Sequence, residues 1–188
     1  MIYPIAFILG ALGWTLVEYW LHRELGHVGG AKNPFTVEHL AHHKDPAYFA
    51  PTYKKLIATA LVGLSTGSLL FFAFGAVGLT AAAGFVVMYV NYEVIHRRLH
   101  THPGKTGYGR WARRHHLYHH FRRPKLNHGV TTPIWDFVFG TLEVPQIVKV
   151  PRRNALSWML DDDEELPPEL ADEYELIGKK GKRRPRAA

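Results

Sequence analysis

The sequence predicts an all-α integral membrane protein with about three spans and a helical cap on the face where the spans end. Three observations predict it. The first 21 residues carry a single charge, residues 56–92 carry none, and all 13 histidines lie between His22 and His128, beside the ends of those apolar segments. The 188 residues fit one domain with a tail: a membrane-embedded unit over 1–150 and a charged, disordered segment over 151–188.

The opening segment, MIYPIAFILGALGWTLVEYWL, holds only Glu18 as a charge and is long enough, at 1.5 Å per residue, to cross a hydrocarbon core of about 30 Å. It lacks the basic lead and small-residue cleavage site of a secretory signal, so it reads as a retained span. The charge-free run from Leu56 to Tyr92 would make a single helix of about 55 Å, far more than one crossing needs. A hairpin is the economical solution. Its turn falls at Gly75-Ala76-Val77-Gly78, between spans Leu56–Phe74 and Leu79–Tyr92, the second running on toward His96. Gly63-Leu64-Ser65-Thr66-Gly67 matches a nucleophile-elbow pattern but lacks its strand-turn-helix setting, so it reads as a helix contact through Gly63 and Gly67.

Charge sets the orientation. Residues 1–160 carry a net +10 and residues 161–188 a net −3, and every Lys and Arg follows a span end on one face. Basic flanks favour the cytoplasm. The N-terminus and the Gly75 turn are therefore expected on the opposite side, with the histidines and the C-terminus cytoplasmic. Residues 131–148 are apolar but interrupted by Pro133, Gly140 and Pro145, which suits an interfacial segment better than a fourth span. Beyond Asp161 an acidic block precedes a basic one, with a short helix expected over Pro168–Ile177.

With no cysteine, disulfide scaffolds, thiolate metal sites and thiol nucleophiles are excluded, and histidine is the one plentiful metal-binding side chain. Four clusters stand out: His22-x4-His27, His39-x2-His42-His43, His96-x3-His100 and His116-x2-His119-His120. Positions i, i+3 and i+4 share a helix face, so each H-x-x-H-H cluster is expected to aim three imidazoles at one point, and His96 and His100 two. His22 and His27, about 140° apart on an α-helix, require a helix end or separate metals. Ten imidazoles exceed one tetrahedral zinc site and fit two metals of about five nitrogens each. Imidazole alone leaves zinc, iron, copper and nickel open. Glu18, four residues before His22, and Glu93, three before His96, are placed to take the outer N–H of a ligand ring, unless they pair with Arg23, Arg97 or Arg98; Asp136 is a weaker candidate of that kind.

These residues resemble the fatty acid hydroxylase and sterol desaturase superfamily of membrane histidine-box oxygenases. The matching pieces are EYWLHRELGH (Glu18 to His27), HLAHH (39–43), NYEVIHRRLH (91–100) and HHLYHHFRRPKLNHGVTTPIWDFVFGT (115–141). The resemblance implies a cytoplasmic-face di-iron centre that activates O2, draws electrons from a separate donor and oxidises a lipid C–H bond. It implies as ligands His22, His27, His39, His42, His43, His96, His100, His116, His119 and His120, with iron as the catalytic ion and zinc as its substitute in crystals. His102, His115 and His128 fall outside the pattern, and His128 stands where relatives often carry an aromatic residue.

The three-residue gap between His96 and His100 favours the fatty acid 2-hydroxylase-like branch, hence acyl or sphingolipid hydroxylation; sterol desaturation and carotenoid hydroxylation stay open. The chain shows no fused electron-donor domain, so a ferredoxin, reductase or small haem protein is expected as partner. From another class, a non-enzymatic histidine-rich metal transporter or buffer would place ligands along a mid-membrane path, whereas residues 44–95 hold no histidine. Basic and aromatic residues mix over Arg110–Lys125, but beside membrane spans they suit anionic lipid head groups, and no nucleic acid is expected.

Overall fold

The computed structural model describes residues 1–28 and 33–180. Helix α1 (Ile2–Trp20) continues without a break into a π-helix over Leu21–Val28. Helix α2 (Pro34–Lys44) begins at Asn33, whose side-chain oxygen accepts the Thr36 N–H at 2.9 Å. The Thr36 hydroxyl donates to the Leu25 carbonyl at 2.7 Å, tying α2 to the π-helix.

Helix α3 (Thr52–Thr101) would be about 75 Å long if its 50 residues ran straight. It does not run straight. Gly75 breaks it at φ 60° and ψ −138°, a conformation that a side chain would strain. A Cβ on Gly78 would lie 1.9 Å from the Leu70 carbonyl oxygen, although residues eight apart on a continuous helix are separated by about 12 Å. The two arms are antiparallel, with Gly63 against Val86 and Lys55 paired to Glu93 at the base. Gly67 faces open space, so the expected Gly63–Gly67 contact is not made through both glycines.

The close glycine packing lies elsewhere, between α1 and the second arm. A Cβ on Gly10 would fall 1.8 Å from the Ala81 oxygen, and one on Gly84 2.0 Å from the Phe7 oxygen, so only glycine allows this crossing. Trp14 then packs on Phe85, Tyr89 and Tyr92 at ring distances of 5.4, 4.6 and 5.7 Å. The two helices run in the same direction. Their C-terminal ends, with His22 and His96, therefore arrive at one level.

Among the described residues two helices, α1 with its continuation and α3, are long and apolar enough to cross a membrane. No residue from Thr52 to Phe74 is buried, and Leu64, Leu69 and Phe72 are 71%, 70% and 86% exposed. The hydroxyls of Thr59, Ser65 and Thr80 donate to carbonyls four residues back, which hides their polarity from the apolar surface. Such a surface is costly in water and suited to hydrocarbon.

Helix α4 (Gly107–Phe121) starts at the Thr106 cap and is anchored from behind by a second layer. Leu117 packs with Val148, Val150, Leu156, Met159 and Tyr174, on strands β1 (Val148–Pro151) and β2 (Tyr174–Ile177) and the turns between them. The strands pair in parallel, Val148 opposite Tyr174. A disordered tail from residue 151 is therefore not what forms over 151–180, and Pro168–Ile177 is a 3-10 turn (Pro168–Leu170) and a strand rather than a helix. The charged block at Asp161–Glu165 dominates the composition, but the irregularly spaced apolar residues around it bury against α4. The fold is mostly helical with this one small sheet added. Between them, α5 (Ile134–Val138) exposes Ile134, Phe137 and Val138 and buries Asp136.

Candidate metal centre

The ten clustered histidines come together as two groups of five. His22, His27, His39, His43 and His119 form the first group, and His42, His96, His100, His116 and His120 the second; in each, the five nitrogen donor atoms lie within 4.8 Å of one another. The H-x-x-H-H triplets do not aim at one point as expected. Each divides: α2 sends His39 and His43 to the first group and His42 to the second, while α4 sends His116 and His120 to the second and His119 to the first. Residues i and i+4 stay together and residue i+3 crosses over. The rings of His43 and His120, from different groups, stack at 4.0 Å.

His22 and His27 share a group because the helix under them has changed type. A π-helix bonds i to i+5, so five residues make about one turn and both rings leave on the same side. The separate-metals alternative, which rested on α-helical geometry, does not apply.

Three Nδ1–H groups are committed to backbone carbonyls: His22 to His128 at 2.5 Å, His42 to Tyr48 at 2.7 Å and His119 to Leu126 at 2.6 Å. That fixes the tautomer and leaves each Nε2 with a lone pair. The His42 Nε2 lies 3.0 Å from that of His96 and 3.2 Å from that of His100, which is itself 2.8 Å from that of His116. In the first group His27 Nε2 stands 2.9 Å from His39 and 3.0 Å from His119, and His119 stands 3.2 Å from His43. Single protons cannot satisfy so many mutual contacts. Nitrogens about 2.1 Å from one cation, at right angles around it, are ~3.0 Å apart. The His22 Nε2 and both nitrogens of His120 are buried without a hydrogen-bond partner among the described residues. Buried lone pairs converging at this spacing fit a metal ion in each group.

Burial also keeps the rings neutral. It is the main force lowering His39 to about 3, helped by His27, and it lowers His42 to about 4. His43, His116, His119 and His120 are held below the ordinary imidazole value by burial and by neighbouring imidazoles.

The carboxylates expected to hold ligand rings do something else. Glu93 pairs with Lys55 across the base of the hairpin, where the two arms bring them together. Glu18 accepts the Val130 and Thr131 N–H groups at 2.5 and 3.1 Å and the Thr131 hydroxyl at 2.8 Å. Its spacing from His22 is right, but these loop donors come from 112 residues away in sequence. Asp136 receives the His128 and Gly129 N–H groups, the Thr141 hydroxyl and the His115 ring at 2.8, 2.8, 2.7 and 3.3 Å. Although burial alone would raise Asp136, these hydrogen bonds hold it below the usual carboxylate value.

Of the remaining histidines, His115 is buried against Asp136, and exposed His102 bonds Thr101. The His128 ring lies 5.5 Å from His22 and 5.4 Å from His119. Several supporting residues escaped sequence reasoning. Arg113 donates to the Arg98, His102 and Gly109 carbonyls at 2.8, 2.5 and 2.8 Å, closing the end of α3. Trp158 donates to the His100 carbonyl at 3.0 Å. Phe35 lies parallel to His39 at 5.7 Å, and Phe49 lies 5.3 Å from His42 with Arg97 above it at 4.9 Å. Asn127, at φ 58°, turns the loop that presents the Leu126 carbonyl. An Asn after a polar loop is a usable turn signal; the others had none.

The profile of the fatty acid hydroxylase family matches residues 7–141. The chain is 36% identical over 143 residues to dihydroceramide fatty acyl 2-hydroxylase FAH2 of Arabidopsis thaliana, covering 71% of this chain and 58% of that protein. It is 32% identical over 148 residues to the fatty acid 2-hydroxylase of Homo sapiens, covering 74% and 40%. A solved structure of full-length scs7p, in which only the hydroxylase domain is visible, superposes with a TM-score of 0.60 at 29% identity, over 75% of this chain and 56% of that one. The chain thus spans 58% and 40% of the lengths of the two curated relatives.

Proposed function

This chain belongs to the fatty acid hydroxylase family, and from that premise we propose an O2-dependent di-iron hydroxylase that oxidises a C–H bond of a membrane lipid. The substrate is a fatty acyl or sphingolipid chain, attacked at the 2-position, as the names of the relatives indicate for those proteins. The observation that carries the reading is the division of ten imidazoles into two groups whose donor atoms lie within 4.8 Å. When bound, two irons would supply O2 activation, with the overall balance C–H plus O2, two electrons and two protons giving C–OH and water.

The protein's own part is to hold and shield. His22, His27, His39, His43 and His119 would hold one iron, and His42, His96, His100, His116 and His120 the other. The His128, Tyr48 and Leu126 carbonyls orient three of these rings, and Phe35 and Phe49 cover His39 and His42. Among the described residues no carboxylate joins either group, so neutral nitrogen would surround each cation. The apolar arms sit in the bilayer, from which an acyl chain reaches the site laterally. The histidines and C-terminus face the cytoplasm, where a separate ferredoxin, reductase or small haem protein delivers electrons, and the N-terminus lies opposite.

The test is iron-loaded protein in lipid, supplied with a chemical reductant and labelled O2. Two irons per chain and one labelled oxygen in an acyl chain are expected. One iron or none under iron-replete conditions would sink the reading, and loss of two hydrogens without oxygen gain would move it to desaturation. Metal flux in liposomes without O2 consumption would favour a transporter instead.

A further inference from the structure

The two histidine groups are supported differently, and the difference centres on Asp136. This side chain is fully buried and belongs to neither group. Its Oδ1 accepts the His128 N–H and the Thr141 hydroxyl, and its Oδ2 accepts the Gly129 N–H and the His115 Nε2–H. Four donors fill the capacity of an ionised carboxylate, which has no proton to give. The segment so held is the one whose His128 carbonyl receives the His22 Nδ1–H. From the other end Glu18 holds Val130 and Thr131. Residues 128–131 are therefore strung between two buried carboxylates. The His42 carbonyl partner, Tyr48, is fixed instead by a turn in which its N–H donates to Asp45 at 2.9 Å.

We infer that Asp136 is a positioning residue for the first metal group: through the His128 backbone it sets the place and tautomer of His22, whereas it reaches the second group only through His115 on α4. The inference rests on the di-metal reading above. Asn at 136 keeps the shape but offers one acceptor oxygen and one NH2, so on one side donor meets donor and the 128–129 backbone is pushed away. The His22 Nδ1–H then loses its acceptor, and its ring is free to turn. Partners of this kind are worth about 10- to 100-fold in metal affinity.

The test is a chelator titration of the full chain loaded with Co2+, wild type against Asp136→Asn, with His42→Ala as the second-group reference. Wild type is expected to hold two ions. Asp136→Asn should release one ion at a chelator concentration at least about tenfold lower and keep the other at wild-type affinity. Equal weakening of both ions would mean a general structural role and overturn the inference, as would wild-type affinity for both. If Asp136→Asn does not fold, histidine 15N spectra of the Zn2+-loaded Asp136→Glu chain, which keeps the carboxylate but displaces it, decide: a changed His22 signal beside a wild-type His42 signal sustains the inference, and a wild-type His22 signal overturns it. A wild-type chain that holds no pair of ions would instead refute the di-metal reading.

Discussion

Helices α2 and α4 carry the same H-x-x-H-H spacing, yet they are built into the molecule in opposite ways. In α4, His116, His119 and His120 are all buried, and Leu117 faces a core of strand and turn residues behind the helix. In α2 only His42 is buried among the three, Leu40 is exposed, and the helix is held by bonds along its edge rather than by a core behind it: the Asn33 cap, the Thr36 hydroxyl, Glu38 paired with Lys54 and Tyr48, and the Lys44 carbonyl accepting from Asn154. The same spacing thus serves as a fixed wall on α4 and as a cover on α2. A ligand pattern specifies which rings can share an ion; the packing behind the helix determines whether those rings are in place before the ion arrives.

The largest expected effects come from the ligands. His119→Ala should lower iron content from two toward one and hydroxylation by at least about a hundredfold. His43→Ala, in the same group but on α2, should lose as much metal while leaving the melting of the metal-free chain close to wild type. Equal melting losses in both variants would break the comparison. Next is the core: Leu117→Ala, at 0% exposure, should cost about 2–5 kcal/mol in denaturant unfolding of the metal-free chain. Leu40→Ala on α2, 51% exposed, should stay within about 0.5 kcal/mol.

Acid sharpens the contrast further. In the unfolded chain an imidazole takes its proton near pH 6.5, whereas folded His39 resists until about 3 and His42 until about 4. The unfolded state binds more protons across that window, so stability falls as pH drops from about 6.5 toward 4. Hydrogen exchange on the metal-free chain should show α2 opening before α4 in that window, and uniform opening would count against separate supports. Smallest is the cap: Asn33→Ala should cost about 1 kcal/mol in α2 stability, read by the same exchange, with α4 unchanged.

The histidines were legible because ligand geometry repeats along a helix. His96 and His100, and the i, i+4 members of each triplet, share a group as helix periodicity dictates. The hairpin was legible too, since a charge-free run of that length exceeds one crossing and carries near its middle a glycine, Gly75, that turns at positive φ. The π-helix was not, because no composition rule separates five-residue spacing on a wider turn from two faces of an ordinary helix. Nor was the folded state of 151–180, where Pro151, Pro167, Pro168 and the acidic block interrupt any helical run and Val148, Leu156, Met159 and Tyr174 bury only because Leu117 awaits them. The acids were readable as carboxylates near the site but not in their partners: Glu18 and Asp136 serve loop N–H groups, and Glu93 a lysine.

By itself the sequence determined the chemistry available: no thiol, imidazole in excess, apolar helices of membrane length, and histidines at their ends. Those properties belong to single side chains and to local periodicity, and survive any rearrangement of the elements. The tertiary structure alone decided that ten rings divide five and five, that residue i+3 of each triplet crosses to the other group, and that a backbone carbonyl at His128 orients His22. Each is a meeting of residues tens of positions apart, and only the packing of α1, α2, α3 and α4 around a common point brings them within reach.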